Sequence, residues 1–194
     1  MTTLFSQSLR LTLAFTLLVG LAYPLFVTGV AQLAFHRQAN GSLERRNGQV
    51  VGSALLAQKF EGARYFWPRP SAGDYATVPS GASNFGPTSQ ALQSNVAARV
   101  MAFRTGNRLP PDAAVPGDMA FASGSGLDPH ISPEAAHLQA VRVAAARSWP
   151  LERVEALVTQ AVEPPQCGFL GEPKVNVLLL NLALDGVDAT RPLR

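Results

Sequence analysis

LTLAFTLLVGLAYPLFVTGVAQLAF, residues 11–35, organises this chain, and it carries no charged side chain. At about 1.5 Å of rise per residue, a helix of this length crosses the roughly 30 Å hydrocarbon layer of a bilayer with some tilt. Lipid offers no partner to backbone N–H and C=O groups, so a lone span is helical. Arg10 bounds the run on one side, and His36 with Arg37 on the other. A cleavable signal peptide has an apolar region of about 7–15 residues. The present run is longer and continues past the small residues Gly29, Val30 and Ala31, so it reads as a permanent anchor.

Thr16, Gly20, Thr28, Gly29 and Ala31 are small, and Pro24 loosens one turn. Small residues allow close helix packing in lipid, and carbonyls freed by proline are tolerated where neighbours satisfy them. An inert anchor needs neither. Gly20, Pro24 and Gly29 are therefore candidate contacts with other membrane helices. Arg10 on one side against Arg37, Arg45 and Arg46 on the other slightly favours a cytoplasmic C-terminal part, and charge alone leaves orientation open.

The 194 residues leave enough chain after the anchor for one domain with its own core. Charged residues make up 15% and apolar ones 47%, a bias to which the anchor contributes. A net charge of +3, scattered along the chain, does not point to nucleic acid. The single cysteine, Cys167, excludes an internal disulfide and a cysteine-based zinc cage. Fifteen prolines and sixteen glycines predict short elements joined by many turns.

Asn40-Gly41 and Asn47-Gly48 are turn signals, and residues 49–51 begin a strand. Ser53 is placed to cap a short helix with Leu55, Leu56 and Phe60 on one side. Tyr65-Phe66-Trp67-Pro68-Arg69-Pro70-Ser71-Ala72 sets three aromatic rings beside two prolines, which predicts an extended segment packing rings on the core. A helix over residues 90–103 follows a small-residue loop, with Leu92, Val96, Val100 and Phe103 on one face. Residues 105–117 read as a surface connection. Ser132 caps a helix opening on Pro133, with Ala135, Leu138, Val141 and Ala145 as its apolar stripe. A further helix after Pro150 turns Leu151, Val154, Leu157 and Val158 inward. Residues 175–184 read as helix, with Pro173 at its start and Val175, Leu178, Leu179 and Leu182 in phase. The sum is an α+β class: a single N-terminal transmembrane helix followed by one small α+β domain.

SGSGLDPHISP, residues 123–133, concentrates reactive side chains: Ser123, Ser125, Asp128 and His130. Triad members normally come from separate elements, whereas these lie within one short loop. The flanks are not those of a Gly-x-Ser-x-Gly elbow, and no Gly-Lys-Ser/Thr follows to make a phosphate cradle. Asp128, His130 and His137 form only a generic metal set, and no metal or catalytic residue is assigned. The favoured reading is a glycine-shaped contact loop in which Asp128 accepts from local backbone N–H groups. Its candidate partner-interface residues are Ser123, Gly124, Ser125, Gly126, Leu127, Asp128, Pro129 and His130. The alternative is a membrane-anchored extracytoplasmic hydrolase using Ser125 and His130.

TGVAQLAF, QANGSL, VGSALLAQKF, YFWPRPSA, SGASNFGPTS, SGSGLDPHISPEAA and GFLGEPKVNVLLLNLALD occur in that order. This set resembles the C subunit of the Kdp-type potassium-transporting P-type ATPase, over residues 23–185. The resemblance implies a bacterial inner-membrane complex for high-affinity, ATP-driven potassium import. Its expected partners are a channel-like potassium-binding subunit, an ATP-hydrolysing P-type subunit and membrane lipid. The C subunit is then an accessory, non-catalytic component that stabilises assembly. The resemblance further implies that residues 1–10 are a short cytoplasmic tail, 11–35 the transmembrane helix and 36–194 an extracytoplasmic domain, against the slight bias of the charges. ATP and potassium are handled by the complex, and no cofactor is assigned to this chain directly. The resemblance also implies a catalytic-chaperone role that raises the ATP affinity of the hydrolysing subunit. The residues themselves offer neither a Walker-type loop nor an Asp-Lys-Thr-Gly phosphorylation motif.

Overall fold

A computed structural model describes residues 2–189, and the chain divides into two compact units between residues 43 and 44. The first unit is built on α1 (Thr2–Leu17), a π-helical turn (Leu18–Ala22) and α2 (Tyr23–Ala34), followed by the short α3 (His36–Ala39). The apolar helix spans Thr3–Ala34, 32 residues with no part buried by the rest of the chain. Its length of about 48 Å exceeds the hydrocarbon layer. The helix therefore starts well before Leu11, because residues 2–10 contain no proline or glycine to stop it. Pro24 has its effect one turn earlier. A proline lacks N–H and its ring crowds the carbonyl four residues back, here that of Gly20. The chain answers by widening that turn, so that Tyr23 N–H donates to Leu18 O.

The second unit is mixed helix and strand. β1 (Leu43–Arg46) and β2 (Gln49–Ser53) pair around Asn47 and Gly48, whose φ values of 50° and 79° suit a tight hairpin turn. No helix follows Ser53. Its Oγ instead accepts from Leu55 N–H at 3.1 Å and its carbonyl from Leu56 N–H at 3.2 Å, an isolated turn that leaves both leucines exposed. Such local side-chain bonds compete with helix continuation.

α4 (Gln90–Asn107) runs a turn past the expected end and is capped by Ser89 Oγ, which accepts from Leu92 N–H. α5 (Gly117–Ala120) is a single turn within what reads as pure connection. Next come β3 (His130–Ile131), α6 (Pro133–Arg147), α7 (Leu151–Ala161) and β4 (Val162–Glu163). The C-terminal apolar run divides in two, β5 (Lys174–Asn176) and α8 (Val177–Ala189). Val175 is thus a strand residue and Pro173 does not open the helix. Asn176 divides them, its Oδ1 accepting from Leu179 N–H at 3.2 Å while its Nδ2 donates to Ala54 O at 2.8 Å.

β5 is the middle strand of a small antiparallel sheet ordered β3-β5-β4, with Ile131 and Val162 both opposite Val175. Helices α6, α7 and α8 pack around it, over a core that includes Ile131, Ala140, Val143, Val154, Val158, Leu180 and Leu184. The inward face of α6 differs from the expected stripe. Val141 and Ala145 are exposed, and Gln139, Arg142 and Arg147 are buried instead.

Those buried polar groups hold the aromatic-proline strap, residues 62–72, which has no strand partner among the described residues. Asn181 accepts from Phe66 N–H at 2.8 Å and donates to Phe66 O at 3.0 Å. Gln139 does the same for Trp67, at 2.8 and 3.3 Å. Each side-chain amide thus supplies the donor and acceptor that a neighbouring strand would provide. Arg142 donates to the carbonyls of Gly62, Ala63 and Tyr65 and lies 3.9 Å from the Trp67 ring centroid. The strap fixes Phe66 at full burial, as the sequence leads one to expect.

Candidate functional site

Residues 123–133 run as an extended loop from the end of α5 to the cap of α6, crossing β3 on the way. Its glycines are not equivalent. Gly126 is buried with φ of 72°, and a Cβ there would lie 3.0 Å from Gly81 O and 3.2 Å from Ser71 Oγ. Gly124 faces open space. The conformational demand expected of both therefore falls on Gly126.

Hydrogen bonds tie the loop down along its length. Ser123 N–H donates to Pro70 O at 3.0 Å, and Gly126 N–H to Ser123 O at 3.2 Å. Leu127 O accepts from Ala57 N–H at 2.9 Å, and Pro129 O from Val177 N–H at 3.0 Å. Ser132 Oγ caps α6 by accepting from Ala135 N–H at 3.1 Å, and is itself held by Asp118.

Asp128 has the local role expected of it and one more. Oδ1 accepts from His130 N–H at 3.0 Å and lies 3.5 Å from His130 Nδ1. Oδ2 accepts from Arg69 Nη1 at 2.7 Å, which bolts the loop to the strap. Burial alone would raise the Asp128 pKa. Hydrogen bonds from His130 and Arg69 outweigh that and bring it down to about 2. Arg69, Asp118, Asp128, His130, Ser132 and Lys174 line one open groove of about 490 Å³.

A nucleophile would need its base within hydrogen-bond reach. Ser125 Oγ accepts from Leu127 N–H at 3.1 Å, and among the described residues no hydrogen bond joins Ser125 to His130. Ser123 is buried, its Oγ facing Asp128 N–H at 3.5 Å. The hydroxyls shape the loop. The carboxylates of Asp118 and Asp128 accept from neighbouring groups, and His137 is exposed on α6. The arrangement is a stiff surface of mixed charge, suited to contact.

One family matches nearly the whole of the chain: KdpC, described as the c chain of the K+-transporting ATPase, matches residues 5–186. The chain belongs to the KdpC family. It is 58% identical to the potassium-transporting ATPase KdpC subunit of Rhodospirillum rubrum, over 92% of this chain and 93% of that one. It is 53% identical to the corresponding subunit of Mycobacterium bovis, over 92% and 95%. The subunit of Methylococcus capsulatus is 51% identical, over 94% and 97%.

Gly20, Pro24 and Gly29 lie in the first unit and the loop residues in the second. Around Gly29 there is open space, and Gly20 has only Thr16 Cγ2 at 3.9 Å, so both offer a flat approach to another helix. Sequence reasoning missed Arg69, whose pairing with Asp128 spans 59 positions. It also missed Asp185, which accepts from Arg46 Nη1 at 2.8 Å, Arg147 Nη2 at 2.8 Å and Tyr65 Oη at 3.2 Å. Burial raises the Asp185 pKa, and the hydrogen bonds from Arg147 and Arg46 lower it further than burial raises it. The concentration of arginine and tyrosine around one late Asp is not visible in spacing.

Proposed function

We propose that this chain is the accessory subunit of an ATP-driven potassium import complex in a bacterial inner membrane. It has one transmembrane helix and an extracytoplasmic domain that stabilises assembly. The observation that carries this reading is KdpC membership across residues 5–186 in a chain whose apolar Thr3–Ala34 helix is left unburied by the described residues. An apolar helix with unfilled small-residue positions gains from packing on other membrane helices. The second unit contributes a loop surface made rigid by buried hydrogen bonds. Partners of the expected chemistry are a channel-like potassium-binding subunit and an ATP-hydrolysing P-type subunit.

The raised ATP affinity attributed to this family is then an effect transmitted through the helix. An extracytoplasmic domain meets no ATP, so coupling requires a difference in how the helix packs in the two states of the pump.

Co-expression with an affinity-tagged pump subunit tests the assignment. The chain is expected in the purified complex in fixed proportion, and its omission is expected to lower complex yield and raise the KM for ATP. A reporter active only outside the cytoplasm, fused after Arg194, is expected to be active. Purification of the chain without any large membrane partner overturns the reading.

A further inference from the structure

Residues 164–171, PPQCGFLG, make a closed loop between β4 and β5. Gln166 and Leu170 exchange two backbone hydrogen bonds, Gln166 N–H to Leu170 O at 3.0 Å and Leu170 N–H to Gln166 O at 2.9 Å. Inside it, Gly168 N–H donates to Pro165 O at 3.0 Å and Phe169 N–H to Gln166 O at 3.3 Å. Cys167, Gly168 and Gly171 hold φ of 54°, 82° and 85°, a left-handed bend that a cysteine adopts only when its surroundings enforce it. The bend leaves Phe169 77% and Leu170 53% exposed, side by side at the tip. Such rigidity does nothing for burial within this chain.

We propose that Phe169 and Leu170 are an apolar anchor that docks this loop into a pocket on another protein subunit of the same complex. The proposal rests on the subunit reading above. Three observations select a protein partner that is already tethered. The two side chains expose on the order of 250 Å², far short of the roughly 1,600 Å² of a self-sufficient interface. An anchor of that size is useful where a second attachment, here the membrane helix, raises the local concentration of the partner. That argues against a freely diffusing second copy. The loop contains no Lys or Arg and is followed directly by Glu172, which disfavours an anionic lipid surface. Finally, a fixed backbone lowers the entropic cost of entering a shaped pocket, an advantage that a fluid lipid surface does not reward.

Cys167, exposed and two residues from Phe169, reports on the contact in the full chain. In the co-purified complex, Cys167 is expected to react with a water-soluble maleimide about tenfold more slowly than in the isolated chain in detergent. A benzophenone maleimide on Cys167 is expected to form photo-adducts with a larger subunit. The double variant Phe169→Ser, Leu170→Ser is expected to restore maleimide reactivity and reduce the adduct about tenfold. Its thermal unfolding is expected to be unchanged, since neither side chain packs in the core. Equal reactivity of Cys167 in complex and isolated chain, or adducts only with lipid or a second copy, overturns the anchor while leaving the subunit assignment standing. Failure of the wild-type chain to co-purify overturns both.

Discussion

Arg69 Nη1 donates to Asp128 Oδ2 at 2.7 Å, joining the aromatic-proline strap to the serine-glycine loop through a partly buried ion pair. The bond turns two segments that read as separate into one surface, and it makes the stability of that surface depend on a carboxylate.

The Asp128 pKa falls from an ordinary 3.8 to about 2 on folding. A group lowered in this way contributes stability that is complete above about pH 4 and is lost as pH falls from there to about 2. Asp185 is shifted in the same direction. The urea midpoint of the full chain in mild detergent is therefore expected to drop over this acid window. Asp128→Asn is expected to flatten the drop, and Arg69→Met to cost about 1–3 kcal/mol at neutral pH. An unchanged acid profile in Asp128→Asn counts against the pairing.

Gly126→Ala is expected to destabilise the domain by roughly 1–3 kcal/mol, because it puts a Cβ at positive φ against the Gly81 carbonyl. Gly124→Ala, in open space, is expected to stay within about 0.5 kcal/mol of wild type. Thermal melts of the two variants decide it. The reverse order would mean that the loop has a different path.

Arg142 serves five acceptors: the carbonyls of Gly62, Ala63 and Tyr65, with Asn107 Oδ1 and Gln139 Oε1. Burial lowers its pKa to about 10, which still leaves it charged at neutral pH. Arg142→Met takes a charged donor from each of these groups, although Gln139 Oε1 keeps Trp67 N–H and Gly62 O keeps Tyr65 N–H, and is expected to cost on the order of 3–5 kcal/mol. Arg142→Lys is expected to rescue little of this, since one ammonium cannot reproduce the fork. Full stability of the lysine variant, measured by denaturant titration, would show that charge alone suffices.

Gly20→Leu and Gly29→Leu keep the helix apolar but fill the flat approach it offers. Membrane insertion is expected to be unaffected, while recovery of partner subunits in detergent falls severalfold. Equal recovery would make these glycines incidental to assembly.

Local sequence determined the elements whose causes are local. The uncharged run at residues 11–35 is apolar enough to span lipid, Ser132 followed by Pro133 starts a helix, and Asn47-Gly48 closes a hairpin. In each case the deciding interaction lies within a few residues. The placement of Asp128 against its own loop was legible for the same reason. Tertiary structure alone decided what the long-range polar groups do. Gln139, Arg142 and Asn181 lie outside the apolar stripes expected of their helices, yet they are buried because their side chains satisfy backbone groups of the strap. Asn176 divides an apolar run that reads as one helix, because its side chain caps α8 while its backbone pairs with His130 in the sheet. The exposure of Phe169 and Leu170 was likewise invisible in the sequence. Apolar residues next to a strand are usually core, and only the left-handed bend at Cys167 and Gly168 turns these outward.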